Sequence, residues 1–163
     1  MNHLNSIQNK IFTLPNLKIQ IKQWKSTKNK IVFTNGCFDI LHKGHIEVLV
    51  KTADLGDKLI IGLNSDDSVK LLKGESRPIN DEGSRAILLS ALSFVDAVIL
   101  FSEETPHNLI SEIIPDILAK GGDYNITEIV GHKLVQKNGG KVIIIPFIEG
   151  YSSTEIIDKI KNG

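Results

Sequence analysis

The sequence predicts an α/β fold, one domain with a five-stranded parallel sheet and helices on both faces. Strand-like and helix-like segments alternate along the chain, Val142-Ile143-Ile144-Ile145 is a continuous apolar run, and glycine- and hydroxyl-rich turns follow the strands. Alternation of this kind builds right-handed β-α-β crossovers. A continuous apolar run is what a strand buried on both faces requires.

The elements follow in order. Residues 1–29 read as a leader with a short amphipathic segment from Leu17 to Trp24, and 30–163 as the main domain. Ile31, Val32, Phe33 and Thr34 are β-branched or aromatic and open a strand over 31–37. From Gly44 the apolar residues Ile46, Leu49, Val50 and Ala53 recur at helical spacing against Glu47, Lys51 and Asp54, which places a helix over 44–55. Further strands are expected at 58–63, 96–101, 116–120 and 141–146. Helices are expected at 82–93, 105–113, 127–137 and 153–161.

Composition bounds the function. The chain has 163 residues, 41% hydrophobic and 23% charged, enough for one globular core. Nineteen basic side chains balance nineteen acidic ones, so no general polyanion surface is implied and nucleic acid is not an expected partner. One cysteine, Cys37, excludes an internal disulfide and suits a reducing compartment. It reads as a small apolar residue at the strand end. No apolar run approaches the ~20 residues that cross a bilayer. A cytoplasmic protein without membrane contact is the expectation.

The most informative run is Asn35-Gly36-Cys37-Phe38-Asp39-Ile40-Leu41-His42-Lys43-Gly44-His45. It sits where the first main strand becomes a helix. A helix start offers unpaired N–H groups and the positive end of the macrodipole, a ready anion site. Gly36 and Gly44 allow a phosphate to approach the backbone, and His42 and His45 can both donate to its oxygens. A second such start lies in Glu149-Gly150-Tyr151-Ser152-Ser153-Thr154-Glu155, where Ser152, Ser153 or Thr154 either caps the helix or donates to phosphate. Ligands of parallel sheets bind beyond the carboxyl ends of the strands, so these segments should share one edge. The same edge would receive Gly62-Leu63-Asn64-Ser65-Asp66 and Lys120-Gly121-Gly122-Asp123-Tyr124.

Arginine usage adds a hint. Against 17 lysines the chain has only Arg77 and Arg85, both in or just after the connection following the second strand. Guanidinium geometry suits bidentate phosphate binding. The competing reading is a salt bridge, for example Arg85 with Glu82. Lys73, in Leu72-Lys73-Gly74, would reach a phosphate from a mobile loop or stand solvated.

Asn35 to His45, together with Leu72-Lys73-Gly74, Arg77-Pro78-Ile79-Asn80, Lys120-Gly121-Gly122-Asp123-Tyr124 and Ser152-Ser153-Thr154, resembles the His-x-Gly-His nucleotidyltransferases. Within them it looks like the heptose 1-phosphate adenylyltransferases. The resemblance runs from about Lys30 to Ile160. It implies a single Rossmann-like, cytidylyltransferase-like domain that moves an adenylyl group from ATP to D-glycero-β-D-manno-heptose 1-phosphate. It also implies His42, His45, Lys73 and Arg85 as catalytic groups. The nucleotide would be bound by Asn35, Gly36, Cys37, Phe38, Gly44, Lys120, Gly121, Asp123, Ser152, Ser153 and Thr154. Asp39, Asn64, Asp66 and Arg77 would serve the sugar or support the site. Mg²⁺ would be held through phosphate oxygens without a dedicated protein ligand set. Members of the family often carry a fused sugar kinase, so a separate kinase is expected upstream, and a homodimer is expected. Cytidylyl transfer to glycerol 3-phosphate, adenylyl transfer to flavin mononucleotide, and a non-catalytic nucleotide-binding module remain as alternatives.

Overall fold

A computed structural model describes residues 2–146 and 150–162. Glu149, which the sequence places at the head of the second helix start, lies outside the described residues, as do Met1 and Gly163. The elements are α1 (His3–Gln8), β1 (Ile11–Phe12), α2 (Leu14–Ser26), β2 (Ile31–Gly36), α3 (Lys43–Ala53), β3 (Lys58–Asn64), α4 (Asp66–Lys73) and α5 (Glu82–Ser90). They continue with β4 (Ala97–Phe101), α6 (His107–Ile113), β5 (Ile117–Gly121), a 3-10 turn (Ile126–Glu128), α7 (His132–Lys137), β6 (Lys141–Ile145) and α8 (Ser153–Asn162).

All strand pairs are parallel, in the order β1-β4-β3-β2-β5-β6. Among the described residues the sheet therefore has six strands, where the sequence predicted five. The extra one is β1, which pairs Ile11 with Val98 and Phe12 with Ile99 at the outer edge. Two residues are too few to show a period of two, so only the neighbour reveals it as a strand.

Side-chain alternation divides the core into two layers. Ile60 of β3 joins Phe33, Ile99, Leu118, Ile110 and Val135 on one face, together with Leu17 and Ile21 of α2. Leu59, Ile61 and Leu63 of the same strand point to the other face, with Val32, Leu49 of α3, and Ala86 and Leu89 of α5. The amphipathic segment of the leader thus lies in α2 and contributes to the main core.

Three further elements differ from expectation for local reasons. Residues 66–73, read as a loop, form α4, capped by Ser65 Oγ accepting from the Ser68 N–H and carrying Asp66 and Asp67 in its first turn. Its Leu71 and Leu72 face solvent, which hides the helical apolar period. The helix expected over 127–137 is interrupted at Gly131, whose φ of +87° and close approach to Ile110 Cδ1, 2.9 Å from an added Cβ, admit only glycine. In β6 only Ile145 is fully buried, because this strand is a sheet edge with one neighbour.

The strand order places the site. From β2 the chain steps through β3 to β4 in one direction, and then β5 pairs on the opposite side of β2. The reversal opens a crevice beyond the carboxyl ends of β2 and β5. The Asn35–His45 run leaves β2 into that crevice.

Candidate active site

His42 is the N-cap of α3. Its extended backbone (φ −139°, ψ 170°) turns the side chain back over the first helical turn, where Nδ1 accepts the His45 N–H at 3.4 Å. A nitrogen that accepts cannot carry the proton, so neutral His42 is held as the tautomer with Nε2–H free to donate. The His42 and His45 rings stack with centroids 3.8 Å apart at 24°, and Phe38 meets the His45 ring edge-on at 5.4 Å. Phe38 reaches this position with a left-handed φ of 46°.

Burial, with the neighbouring His42 ring and the Lys73 ammonium, pushes the His45 imidazole down to about 4. Burial also lowers His42, opposed by the Glu155 carboxylate. Both rings are consequently neutral at pH 7. His45 Nδ1 is buried without a hydrogen-bond partner among the described residues.

The opposite wall is the start of α8. Ser152 Oγ accepts the Glu155 N–H at 3.0 Å, and Ser153 Oγ donates to the Ile40 carbonyl at 3.2 Å. That second bond ties the two helix starts together. Tyr151 lies beside His42, ring centroids 6.5 Å apart at 21°, and Lys43 Nζ stands 5.6 Å from the Tyr151 ring centre. Gly44 is needed between these walls. A Cβ there would lie 3.0 Å from Tyr151 Cβ and 3.2 Å from His42 Cε1 and Nδ1.

Between the walls is a cleft of about 600 Å³. It brings together Asn35, Gly36, Cys37, Phe38, Asp39, His42, Gly44, His45, Lys73, Lys120, Gly121, Ser152, Ser153 and Thr154 of the predicted set. Lys73 is the last residue of α4 and not part of a loop. Lys120 Nζ donates to the Asn35 carbonyl at 3.1 Å and to its Oδ1 at 3.2 Å, and burial pulls the ammonium below its ordinary range. The carboxamide of Asn35 is thereby oriented.

Five predicted residues do not line the cleft. Arg85 is the clearest correction. It is 0% exposed, with Nη1 donating to the Cys37 and Asn64 carbonyls at 2.6 and 2.8 Å, Nε to the Asn80 carbonyl at 3.0 Å and Nη2 to Asp66 Oδ1 at 2.7 Å. Four of its five N–H donors are committed to three backbone carbonyls and the Asp66 carboxylate, and the side chain is buried away from the cleft. The carboxylate it pairs with is Asp66 rather than Glu82, which instead accepts the Asp66 N–H. Asn64 is buried and donates to Ser68 Oγ, and Asp123 is exposed outside the cleft. Arg77 pairs with Asp39, Nε to Oδ2 at 2.6 Å.

Sequence reasoning assigned no role to Tyr124 and Tyr151, the only two tyrosines of the chain. Both line the cleft, 45% and 43% exposed. Their signal was available: Tyr124 closely follows Gly121 and Gly122, and Tyr151 stands between Gly150 and the Ser152-Ser153-Thr154 helix start.

A family model described as cytidylyltransferase-like matches residues 33–159, which span β2, the histidine turn and α8. The chain belongs to the cytidylyltransferase-like family. This nucleotidyltransferase is 50% identical over 161 residues to the bifunctional protein HldE of Wolinella succinogenes, covering 99% of this chain and 33% of that protein. It is 54% identical over 145 residues to HldE of Haemophilus influenzae strain PittGG, covering 89% of this chain and 30% of the relative. The chain spans about a third of the length of these relatives. Among solved structures it is similar to a lipopolysaccharide core biosynthesis protein of Thermoplasma volcanium, at 32% identity and TM-score 0.60 over 76% of this chain and 99% of that one. A pantoate-beta-alanine ligase of Francisella tularensis shares the fold alone, at 20% identity and TM-score 0.51 over 88% of this chain and 76% of that one. No helix among the described residues is long and apolar enough to cross a membrane.

Proposed function

We propose that this domain transfers the adenylyl group of ATP to a sugar 1-phosphate, D-glycero-D-manno-heptose 1-phosphate, forming ADP-heptose and pyrophosphate for lipopolysaccharide or another surface glycan. The observation that carries the reading is the stacked, neutral His42–His45 pair at the start of α3, facing the start of α8 across one cleft. Two helix N-termini and two imidazole N–H donors converge on a space suited to a nucleoside triphosphate. The sugar end of the reading is supported by the resemblance to heptose 1-phosphate adenylyltransferases and by the Thermoplasma relative.

The chemistry is a single displacement. An oxygen of the acceptor phosphate, already anionic, attacks the α-phosphorus, and the bond from that phosphorus to the bridging oxygen breaks, its electron pair leaving with pyrophosphate. No proton need be abstracted and no covalent enzyme intermediate is required. Catalysis then consists of alignment and of donors placed where charge develops. His42 and His45 act on the α- and β-phosphate oxygens. Ser152, Ser153 and Thr154 serve the β- and γ-phosphates, and Lys73 adds positive charge from the end of α4. Asn35, its carboxamide oriented by Lys120, lines the nucleoside side with Gly36, Cys37, Phe38, Gly121 and Tyr124.

Mg²⁺ is expected to accompany ATP. It would be carried on phosphate oxygens and water. Such an ion would neutralise triphosphate charge. The substrate requires a kinase upstream that phosphorylates the sugar at C1. The cytoplasm and a homodimer are the expected setting, the latter checked by light scattering.

The test is pyrophosphate release with ATP, CTP or GTP crossed against heptose 1-phosphates, glycerol 3-phosphate and flavin mononucleotide. The reading requires the highest kcat/KM with ATP and a heptose 1-phosphate. A preference for CTP with glycerol 3-phosphate would replace it by a cytidylyltransferase.

A further inference from the structure

Two bends of the chain meet at Asp39. It lies between β2 and His42, so its backbone belongs to the turn that delivers both histidines. It is 1% exposed. Oδ2 accepts Arg77 Nε at 2.6 Å, and Oδ1 accepts the Ile79 and Asn80 N–H groups at 2.7 and 3.0 Å. The Asn80 side chain completes the contact by donating Nδ2–H to the Asp39 carbonyl at 2.8 Å. Every one of these donors comes from the connection between α4 and α5. Burial alone would raise the Asp39 carboxyl, but the Asn80 N–H, Arg77 and the Ile79 N–H outweigh it and hold the group charged.

That connection begins directly after Lys73. Gly74, with φ of +92°, ends α4, and the Arg77 N–H donates to the Gly74 carbonyl at 3.0 Å, so the three residues from Gly74 to Ser76 form a short link from Lys73 to the Asp39 knot. The other end of α4 is fixed as well, since Asp66 pairs with Arg85 and its N–H donates to Glu82. Arg85 in turn holds the Asn80 and Cys37 carbonyls. Lys73 therefore stands on a helix pinned at both ends to the histidine turn. Arg77 uses Nε for this purpose while its Nη2 is buried with no partner among the described residues, which marks the guanidinium as placed by the carboxylate rather than satisfied all round.

We infer that Asp39 and Arg77 are a positioning pair for the transfer reaction, setting the spacing between Lys73 and the His42–His45 stack without themselves binding substrate. The inference rests on the phosphate-site reading above. Geometry is the quantity at stake: an ~1 Å misplacement of a catalytic group costs ~100-fold in rate. Asp39 and Arg77 act as one unit, so removing either should cost as much as removing both.

The test uses Asp39→Asn and Arg77→Lys in the full chain. Asparagine keeps an acceptor for the Ile79 and Asn80 N–H groups but loses the charge facing Arg77, and lysine keeps the charge but loses the Nε–H. Both variants, and the double variant, should lower kcat by at least ~30-fold with the KM for ATP within about threefold of wild type. A readout that needs no acceptor is the His45 ring signal in ¹H–¹³C NMR of the free protein. Burial and then the His42 ring depress its titration midpoint most, so withdrawing the Lys73 ammonium should move that midpoint upward from about 4 by part of the shift. A lowered melting temperature with kcat and the His45 midpoint both unchanged would overturn the inference, leaving the pair a purely structural tie. Losses in the double variant that multiply those of the singles would overturn it too. If the wild-type protein releases no pyrophosphate with any sugar phosphate, the proposed function fails while the ring signals still judge the pair.

Discussion

Gly44→Ala tests the phosphate site at its narrowest point. Gly44 is the second residue of α3, and no left-handed φ is involved, so alanine suits the backbone and brings up to ~1 kcal/mol of helix propensity. Its methyl, however, would stand 3.0 Å from Tyr151 Cβ and 3.2 Å from two atoms of the His42 ring. Neither neighbour is the free end of a flexible chain. Tyr151 Cβ moves only with its backbone, and the His42 ring is held by the His45 N–H and by the His45 stack. Inserting one methyl group into a packed site costs ~1–3 kcal/mol, so after the propensity gain net stability should fall by no more than ~3 kcal/mol. Activity should suffer as well. If ~1 Å of displacement costs ~100-fold, the few tenths of an ångström needed here cost ~4-fold, or ~0.8 kcal/mol of barrier. Pyrophosphate release gives the turnover, and denaturant unfolding gives the stability. Turnover within twofold of wild type in a folded variant would refute the placement of the phosphate between Gly44, His42 and Tyr151.

His45→Ala should lower turnover by at least ~100-fold, ~2.7 kcal/mol, at nearly unchanged secondary structure by circular dichroism, since it removes a transition-state donor. Arg85→Lys should act on stability before catalysis: four directed bonds become at most three, and the cost of roughly 3 kcal/mol should appear as a lower denaturant midpoint. An unchanged midpoint would contradict the buried anchoring role. The depressed His45 midpoint predicts a pH effect of defined sign. The unfolded chain binds a proton at about 6.5 that the folded chain takes up only near 4, so stability should fall as pH drops through that window, by up to ~3 kcal/mol. His45→Gln should flatten the difference between unfolding free energies at pH 7 and pH 4.5.

Legibility of the sequence followed the range of the forces involved. The histidine turn was readable because its cause is local: apolar β-branched residues, then glycine, then a helical period, all within one strand and one helix. The same holds for Ser152–Thr154 as a helix start. Arg85 is not legible as an anchor because its partners Cys37, Asn64 and Asp66 lie 48, 21 and 19 residues away, beside the ends of two strands that become neighbours only in the sheet. Rarity of arginine correctly marked a need for guanidinium geometry, but backbone carbonyls and a carboxylate demand the same planar donors as phosphate. Lys73 was placed in a loop because the exposed Leu71 and Leu72 concealed α4, and β1 was missed because two residues show no period.

By itself the sequence determined the α/β alternation and the two helix starts with the residue types they carry, all consequences of local backbone geometry and periodic burial. The tertiary structure alone decided the sixth strand, the meeting of α3 and α8 across one cleft, and the tying of Asp39 to Arg77 and of Arg85 to the strand ends. Those outcomes depend on strand order, which brings β2 between β3 and β5, and pairing between residues so far apart in the chain leaves no trace in local composition.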